Sequence, residues 1–166
     1  FENIRTTGLI AVRVEDDDQL VGVHLTDGQR HVVMATAGGM SIRFSEADIR
    51  PMGRTARGVK GISLRADDEV VSVIVIDEDS QRSLLTICGN GYGKRTEATE
   101  YRPQSRGGKG ISGDSAGSAD VSSWTAVGKD SGAFTAPQPK TATHATILDR
   151  SVEQRSICVG NSLEDT

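Results

Sequence analysis

Met40-Ser41-Ile42-Arg43-Phe44 runs on through Ile49-Arg50-Pro51-Met52-Gly53-Arg54-Thr55-Ala56-Arg57-Gly58-Val59-Lys60-Gly61, and the second half of this passage is written again as Tyr101-Arg102-Pro103-Gln104-Ser105-Arg106-Gly107-Gly108-Lys109-Gly110. Gly39 and Gly91, Arg43 and Arg95, Arg50 and Arg102, Pro51 and Pro103, Arg54 and Arg106, and Gly58 and Gly110 all stand 52 positions apart. A fixed period near 50 residues is the mark of repeated supersecondary units. Within each unit the apolar pattern is short and β-like. Leu9–Val14, Leu20–Leu25, His31–Thr36 and Met40–Phe44 read as strands in the first copy. Glu69–Ile76, Ser83–Ile87 and Tyr92–Thr96 read as strands in the second. Asp27-Gly28, Gly38-Gly39, Asp77-Glu78-Asp79 and Gly89-Asn90-Gly91 punctuate them, with Asp27-Gly28 carrying a strong hairpin signal. Helical periodicity is confined to Ser45–Asp48.

Four strands per unit at this period predict an all-β fold of β-pinwheel or propeller-like blades, each of four antiparallel strands. The chain holds about two such blades. Residues 1–7 read as the end of a preceding blade, 8–60 as the first blade, and 61–111 as the second. Two blades cannot close a ring, and Phe1-Glu2-Asn3-Ile4 begins in mid-pattern, so a longer protein is expected. From Ser112 the composition turns to Ser, Thr, Ala and Gly, and no third copy can be placed at the same spacing. Such a stretch buries little apolar surface, so 112–166 is expected to be irregular or disordered. The break at Ile111 is abrupt enough to fit a shift of reading frame in the coding DNA, or a divergent terminus.

The 166 residues carry 19 Lys and Arg against 23 Asp and Glu, a net charge of −4. A simple nucleic-acid binder is basic overall, so the average points away from that class. The distribution reverses the inference. Arg43, Arg50, Arg54, Arg57, Lys60 and Arg65 gather at the end of the first unit, and Lys94, Arg95, Arg102, Arg106 and Lys109 at the end of the second. Acidic residues collect elsewhere, at Asp16–Asp18, Asp67–Glu69 and Asp77–Asp79. Phosphates respond to the local field. Gly53, Gly58, Gly107, Gly108 and Gly110 interrupt the cations, and glycine lets a backbone approach a phosphate with its N–H groups available. These eleven cations and five glycines form the candidate nucleic-acid-binding set. A solvated Gly-rich loop with ordinary surface cations is the alternative. Aromatic residues make up 4 % of the chain, too few for a single-strand stacking platform.

Taken together, GMSIRF, IRPMGRTARGVKG, GNGYGKRT and YRPQSRGGKG resemble the C-terminal domain of the bacterial DNA gyrase A subunit, over residues 1 to 111. The resemblance implies a pinwheel that wraps double-stranded DNA around its rim. It further implies two protein partners, the rest of the gyrase A subunit, and the B subunit, in a cytoplasmic, nucleoid-associated location. The topoisomerase IV A subunit shares the architecture and is the near alternative; a propeller-like protein-binding scaffold is another. The family's box reads roughly Q-R-R-G-G-K-G and lies in the first blade. Gln104–Gly110 departs from it at Ser105 and resembles a later, degenerate copy, so the main box is expected upstream and binding by this segment alone is expected to be weak. The parent would be an ATP-dependent type IIA topoisomerase whose catalytic tyrosine lies in another domain. Tyr92 and Tyr101 match no cleavage motif. No catalytic residue, metal or cofactor is expected in this segment, with ATP and Mg acting elsewhere in the complex.

Other motifs are weaker. Gly113-Asp114-Ser115-Ala116-Gly117 with His144 and Asp149 suggests a hydrolytic triad, but the chain order and Ala116 are wrong for trypsin-like proteases. Gly89–Lys94 lacks the Ser or Thr that a P-loop needs after its Lys. His24, His31 and His144 have no metal-ligand spacing, and Asp77–Asp79 lacks the glycine and terminal Glu of a calcium loop. Cys88 and Cys158 form no CxxC and read as small buried thiols of a reducing compartment. No apolar run is long enough to span a membrane.

Overall fold

The computed structural model describes residues 6–14, 18–54, 56–88 and 93–112, together with the backbone of strands at 121–127, 144–149 and 155–160. Eleven strands are found there: β1 Leu20–Thr26, β2 His31–Thr36, β3 Met40–Ser45, β4 Val59–Lys60, β5 Val70–Ile76, β6 Ser83–Cys88, β7 Gly93–Glu97, β8 Ile111–Ser112, β9 Val121–Val127, β10 His144–Asp149 and β11 Arg155–Gly160. Two 3-10 turns, Glu46–Asp48 and Ala98–Glu100, follow β3 and β7 at the same phase of the repeat. Tyr92, the Gly89–Tyr92 turn and the 113–117 segment lie outside the described residues. So do the side chains of Cys88, Cys158, His144 and Asp149.

The strands form three antiparallel sheets, ordered β1-β11-β10-β4, β5-β2-β3-β8 and β7-β6-β9. The middle sheet decides the architecture. It takes β2 and β3 from the first repeat and β5 from the second, with β8 at its far edge. The sheets therefore do not follow the 60/61 boundary read from the sequence: the second repeat lends its first strand, β5, to the sheet that β2 and β3 build. The second repeat's own sheet follows suit as far as it goes. His31↔Ile76 in the β2–β5 pair matches Ser83↔Val127 in the β6–β9 pair, and both ladders slip at the same phase, between Ala35/Thr36 and between Ile87/Cys88.

Asp27-Gly28 is accordingly a turn between sheets, not the hairpin the dipeptide suggested. β1 pairs with β11, while β2 pairs with β3 and β5. The cause is Glu46, whose carboxylate is fully buried. One oxygen accepts from the Thr26 hydroxyl; the other accepts from Gly28 N–H at 3.1 Å and Arg30 N–H at 3.3 Å. The Glu46 N–H in turn donates to Arg30 C=O at 2.8 Å. These bonds occupy the turn amides and carry β2 away from β1. Gly38-Gly39 does make a true hairpin, with Gly39 at φ 76 and its N–H donating to Thr36 C=O.

Side chains of β2 and β3 alternate between two cores. Val32, Met34, Ile42 and Phe44 pack with Ile49, Ile62, Val70 and Val73 on one face. Val33 and Ala35 pack with Ile74, Ile76, Leu84, Ala98 and Tyr101 on the other. All six residues of β2 are buried, which explains their unbroken apolar run. Leu9–Val14, expected as a strand, forms none. Leu9, Ile10 and Val14 are exposed, so that stretch buries no face that would fix it beside a sheet. Conversely, 121–127, 144–149 and 155–160 lie in the stretch read as irregular, yet their backbones are strands in the sheets above.

Glu46→Ala should cost about 1–3 kcal/mol, since Gly28 N–H, Arg30 N–H and the Thr26 hydroxyl would all lose the acceptor they share. Urea denaturation at neutral pH measures it, and an unchanged midpoint would mean that the carboxylate does not hold the turn.

Candidate nucleic-acid interface

The 3-10 turns set the geometry of the basic segments. Ser45 caps the first through its hydroxyl, which accepts from Ala47 N–H at 3.2 Å. Ile49 N–H donates to Glu46 C=O, and Tyr101 N–H to Ala98 C=O, so both repeats leave their turn with the same backbone bond. Arg50 and Arg102 follow directly, each beside a proline and each exposed. The second loop then folds back on the segment that opens its own repeat. Gly107 N–H donates to Gly61 C=O at 2.7 Å, Ser63 N–H to Gly108 C=O at 2.8 Å, and the Ser63 hydroxyl to Gly107 C=O at 2.7 Å. The segment 104–110 thus lies against 60–63, and Arg106 is bonded to the Lys60 carbonyl.

The eleven candidate cations separate into three groups. Arg50, Arg57, Arg65, Lys94, Arg95, Arg102 and Lys109 are at least partly exposed, and Lys60 is half-buried. Arg54 and Arg106 are half-buried and brace the backbone. Arg54 Nη1 donates to Ile10 C=O at 3.4 Å, while Arg106 donates through Nε to Asp48 C=O at 3.3 Å and through Nη1 to Lys60 C=O. Ile10 and Lys60 occupy matching places ahead of β1 and β5, so the same arginine plays the same part in both repeats.

Arg43 is a correction. It is 4 % exposed and is not available to a phosphate. Nε donates to His31 Nδ1 at 2.9 Å, Nη1 to Ala98 C=O at 2.9 Å and Tyr101 C=O at 3.3 Å, and Nη2 to Glu78 C=O at 2.6 Å. Alternation along β3 sets Arg43 opposite Ile42 and Phe44, as the sequence pattern implies. That opposite face meets the second repeat instead of water.

The glycines also have structural duties. Gly110 has φ 73, and a Cβ there would stand 2.4 Å from Ser41 C=O oxygen on β3. Gly107 has φ 80, and its N–H is committed to Gly61; Gly58 has φ 90. Gly108 sits where a Cβ would meet Ser105 C=O at 3.4 Å, an ordinary contact. Gly53, by contrast, has open space around its would-be side chain. The expectation of available amides therefore fails at Gly107.

Several residues escaped the sequence reading. His31 is the acceptor for Arg43, Glu46 holds the first turn, and Asp68 holds the next. Asp68 accepts from Thr36 Oγ1 and Gly38 N–H, each at 2.7 Å, and from Glu69 N–H at 2.9 Å. Each was visible only as one acidic or polar residue among many. Their partners lie 12 to 32 positions away for His31, Glu46 and the Thr36 and Gly38 contacts of Asp68.

Sheets completed by a strand passed from one repeat to the next, with cation-rich loops at a common phase, define a β-propeller-class domain of the pinwheel kind. The family model described as "DNA gyrase C-terminal domain, beta-propeller" matches residues 1–27, 30–77 and 83–115, and the chain belongs to that family. It is 49 % identical over 111 residues to the DNA gyrase A subunit of Haloquadratum walsbyi and 50 % identical over 111 residues to that of Staphylococcus epidermidis. The alignments cover 67 % of this chain but only 13 % and 12 % of those relatives. Two solved structures are similar. One is the C-terminal domain of DNA topoisomerase IV, with a TM-score of 0.70 and 27 % identity over 77 % of this chain and 41 % of that one. The other is a DNA gyrase A C-terminal domain, with a TM-score of 0.63 and 26 % identity over 75 % and 43 %.

Gly110→Ala should destabilise by more than about 1 kcal/mol, because a Cβ at positive φ is strained and also strikes β3. Gly53→Ala should stay within about 0.5 kcal/mol of the parent. Thermal melts of the pair measure this. Equal effects would mean that the glycines are not there for packing.

Proposed function

We propose that this chain is a non-catalytic, DNA-wrapping segment of a gyrase A subunit that supports ATP-dependent negative supercoiling together with the B subunit. The observation that carries the reading is the pair Arg50 and Arg102, exposed at equivalent points of two repeats that are bonded to each other from Gln104 N–H to Arg43 C=O and from Arg106 to the Lys60 and Asp48 carbonyls. Arg57, Lys60, Arg65, Lys94, Arg95 and Lys109 extend the positive surface around them. Such loops hold phosphates without reading bases, so little sequence preference is expected beyond the bendability of the duplex. ATP and Mg belong to other parts of the complex on this reading, and the setting is the bacterial cytoplasm and nucleoid. No helix among the described residues is long and apolar enough to cross a membrane.

The topoisomerase IV A subunit is the second reading, favoured by the TM-score of 0.70 to its C-terminal domain. The roughly half-identical curated relatives are gyrase A subunits, which is why gyrase is preferred.

Salt titration of duplex binding tests the proposal. Affinity should fall steeply with salt and rise with duplex length, each neutralised phosphate adding about 0.9 to the logarithmic slope. Arg50→Ala combined with Arg102→Ala should reduce that slope by about 2. Equal affinity for short and long duplexes rules out wrapping. Salt-insensitive capture of a protein, with no duplex binding, would favour the scaffold alternative.

The family match ends at residue 115. If the reading frame shifts after Ile111, translating the coding DNA there in its other two frames should uncover a third repeat, beginning with an apolar strand and closing on a basic loop. If neither frame holds such a pattern, the tail is native.

A further inference from the structure

Arg43 joins the two repeats through both its side chain and its backbone. Its guanidinium spans from the second repeat's turns, at Glu78, Ala98 and Tyr101, to His31 on β2 of the first. Its own carbonyl accepts from Gln104 N–H at 2.7 Å, at the start of the second basic loop. One residue thus ties the start of the loop 104–110 to the first repeat, while Arg106 and the β3–β8 pair hold the rest of it. The fork geometry is specific to arginine, since an ammonium cannot reach separate carbonyls and an imidazole from one point.

His31 completes the arrangement. It is 6 % exposed, and its Nδ1 must offer a lone pair to Arg43 Nε, which places its proton on Nε2. A proton on Nδ1 would turn that acceptor into a donor and set a second positive charge against the guanidinium. The charged groups that face His31 are Arg43 from β3, Glu78 from the turn after β5 and Asp48 from the first 3-10 turn; Glu78 and Asp79 face Arg43. Burial, reinforced by Arg43, holds the His31 imidazole below its ordinary value of 6.5, against a smaller opposing pull from Glu78 and Asp48.

We propose that Arg43 is the positioning residue that sets the start of the second basic loop against the first repeat, and that His31 makes this latch release in acid. Only the consequence for duplex binding rests on the DNA-binding reading. Above pH 6.5 the imidazole is neutral in folded and unfolded chains alike, and the latch contributes fully. As the pH falls below 6.5 the unfolded chain takes up the proton first, so the joint weakens until folded His31 is protonated too. The loss is about tenfold for each pH unit that separates the two states.

Amide exchange protection at Gln104, whose N–H donates to Arg43 C=O, tests this in the 166-residue chain, wild type beside His31→Asn and Arg43→Lys. Asn can accept from Arg43 near the Nδ1 position but does not titrate. Between roughly pH 7 and pH 5.5 wild-type protection should fall further than that of His31→Asn, by up to about eightfold; His24, also held low by burial, contributes the same slope to both and cancels in the comparison. Arg43→Lys should lose protection at every pH. An equal pH slope in His31→Asn, or full protection in Arg43→Lys, overturns the proposal. Should His31→Asn fail to fold, nuclear magnetic resonance of the wild type decides: the His31 ring nitrogens and the Gln104 amide must move with one midpoint, and His31 titrating while Gln104 stays still overturns it. At fixed salt, binding to a long duplex should weaken with acid in the wild type only. If no duplex binds at neutral pH the DNA-binding reading fails, and the Gln104 amide still judges the latch.

Discussion

Val32 and Met34 point from one face of β2, and Val33 and Ala35 from the other, and all four are buried. A strand with two apolar faces obliges the chain to build a layer on each side, because leaving either face in water would forfeit about 1.5–3 kcal/mol for each large side chain. The first repeat does not supply both layers. Beneath one face it sets its own Ile49 with Ile62, Val70 and Val73 of the second repeat, and for the other it borrows Leu84, Ala98 and Tyr101. The exchange of β5 into the middle sheet follows the same logic, since Ile74 and Ile76 bring apolar side chains to the borrowed core. The repeats are therefore bound by burial before any polar bond is counted.

That constraint sorts the cations. On a sheet with one solvated face, an arginine alternating with Ile42 and Phe44 would stand in water. Here the second face is an interior, and a buried guanidinium is tolerable only with its donors satisfied. Arg43 meets this with three carbonyls and an imidazole. The loop arginines Arg54 and Arg106 lie at the margin of the interior and bond carbonyls of the segment ahead of each repeat. Residues whose phase carries them clear of both cores, such as Arg50 and Arg102, are left on the surface.

Much of this was legible in the sequence. The spacing of Arg50 from Arg102 and of Gly58 from Gly110 revealed the repeat, the short apolar runs marked β1, β2, β3, β5, β6 and β7 but not β4, and the unbroken Val32–Ala35 run is what two buried faces require. The partnership of the strands was hidden. Asp27-Gly28 is a hairpin signal in isolation, and only Glu46, 18 positions from Gly28, diverts it. The site was legible in composition but not in role. Arginine and glycine suit phosphates and also suit tight crossings of backbone, and what separates the uses is the neighbour: Ser41 oxygen beside Gly110, Gly61 oxygen beside the Gly107 amide.

Equivalence in sequence is consequently not equivalence in environment, and the repeat itself supplies the comparison. Arg43 and Arg95 share a phase, yet one is buried and the other exposed. The carbonyls that Arg43 grips lie 35, 55 and 58 positions ahead of it, all in the following repeat. Whether an arginine at this phase becomes a strut or stays on the surface is thus decided by what the next repeat brings against it. Arg54 and Arg106 look backward instead, to Ile10 and Lys60, and both find a carbonyl. A repeat of this kind is held by one arginine reaching forward and another reaching back. The positive surface consists of the cations that neither reach requires.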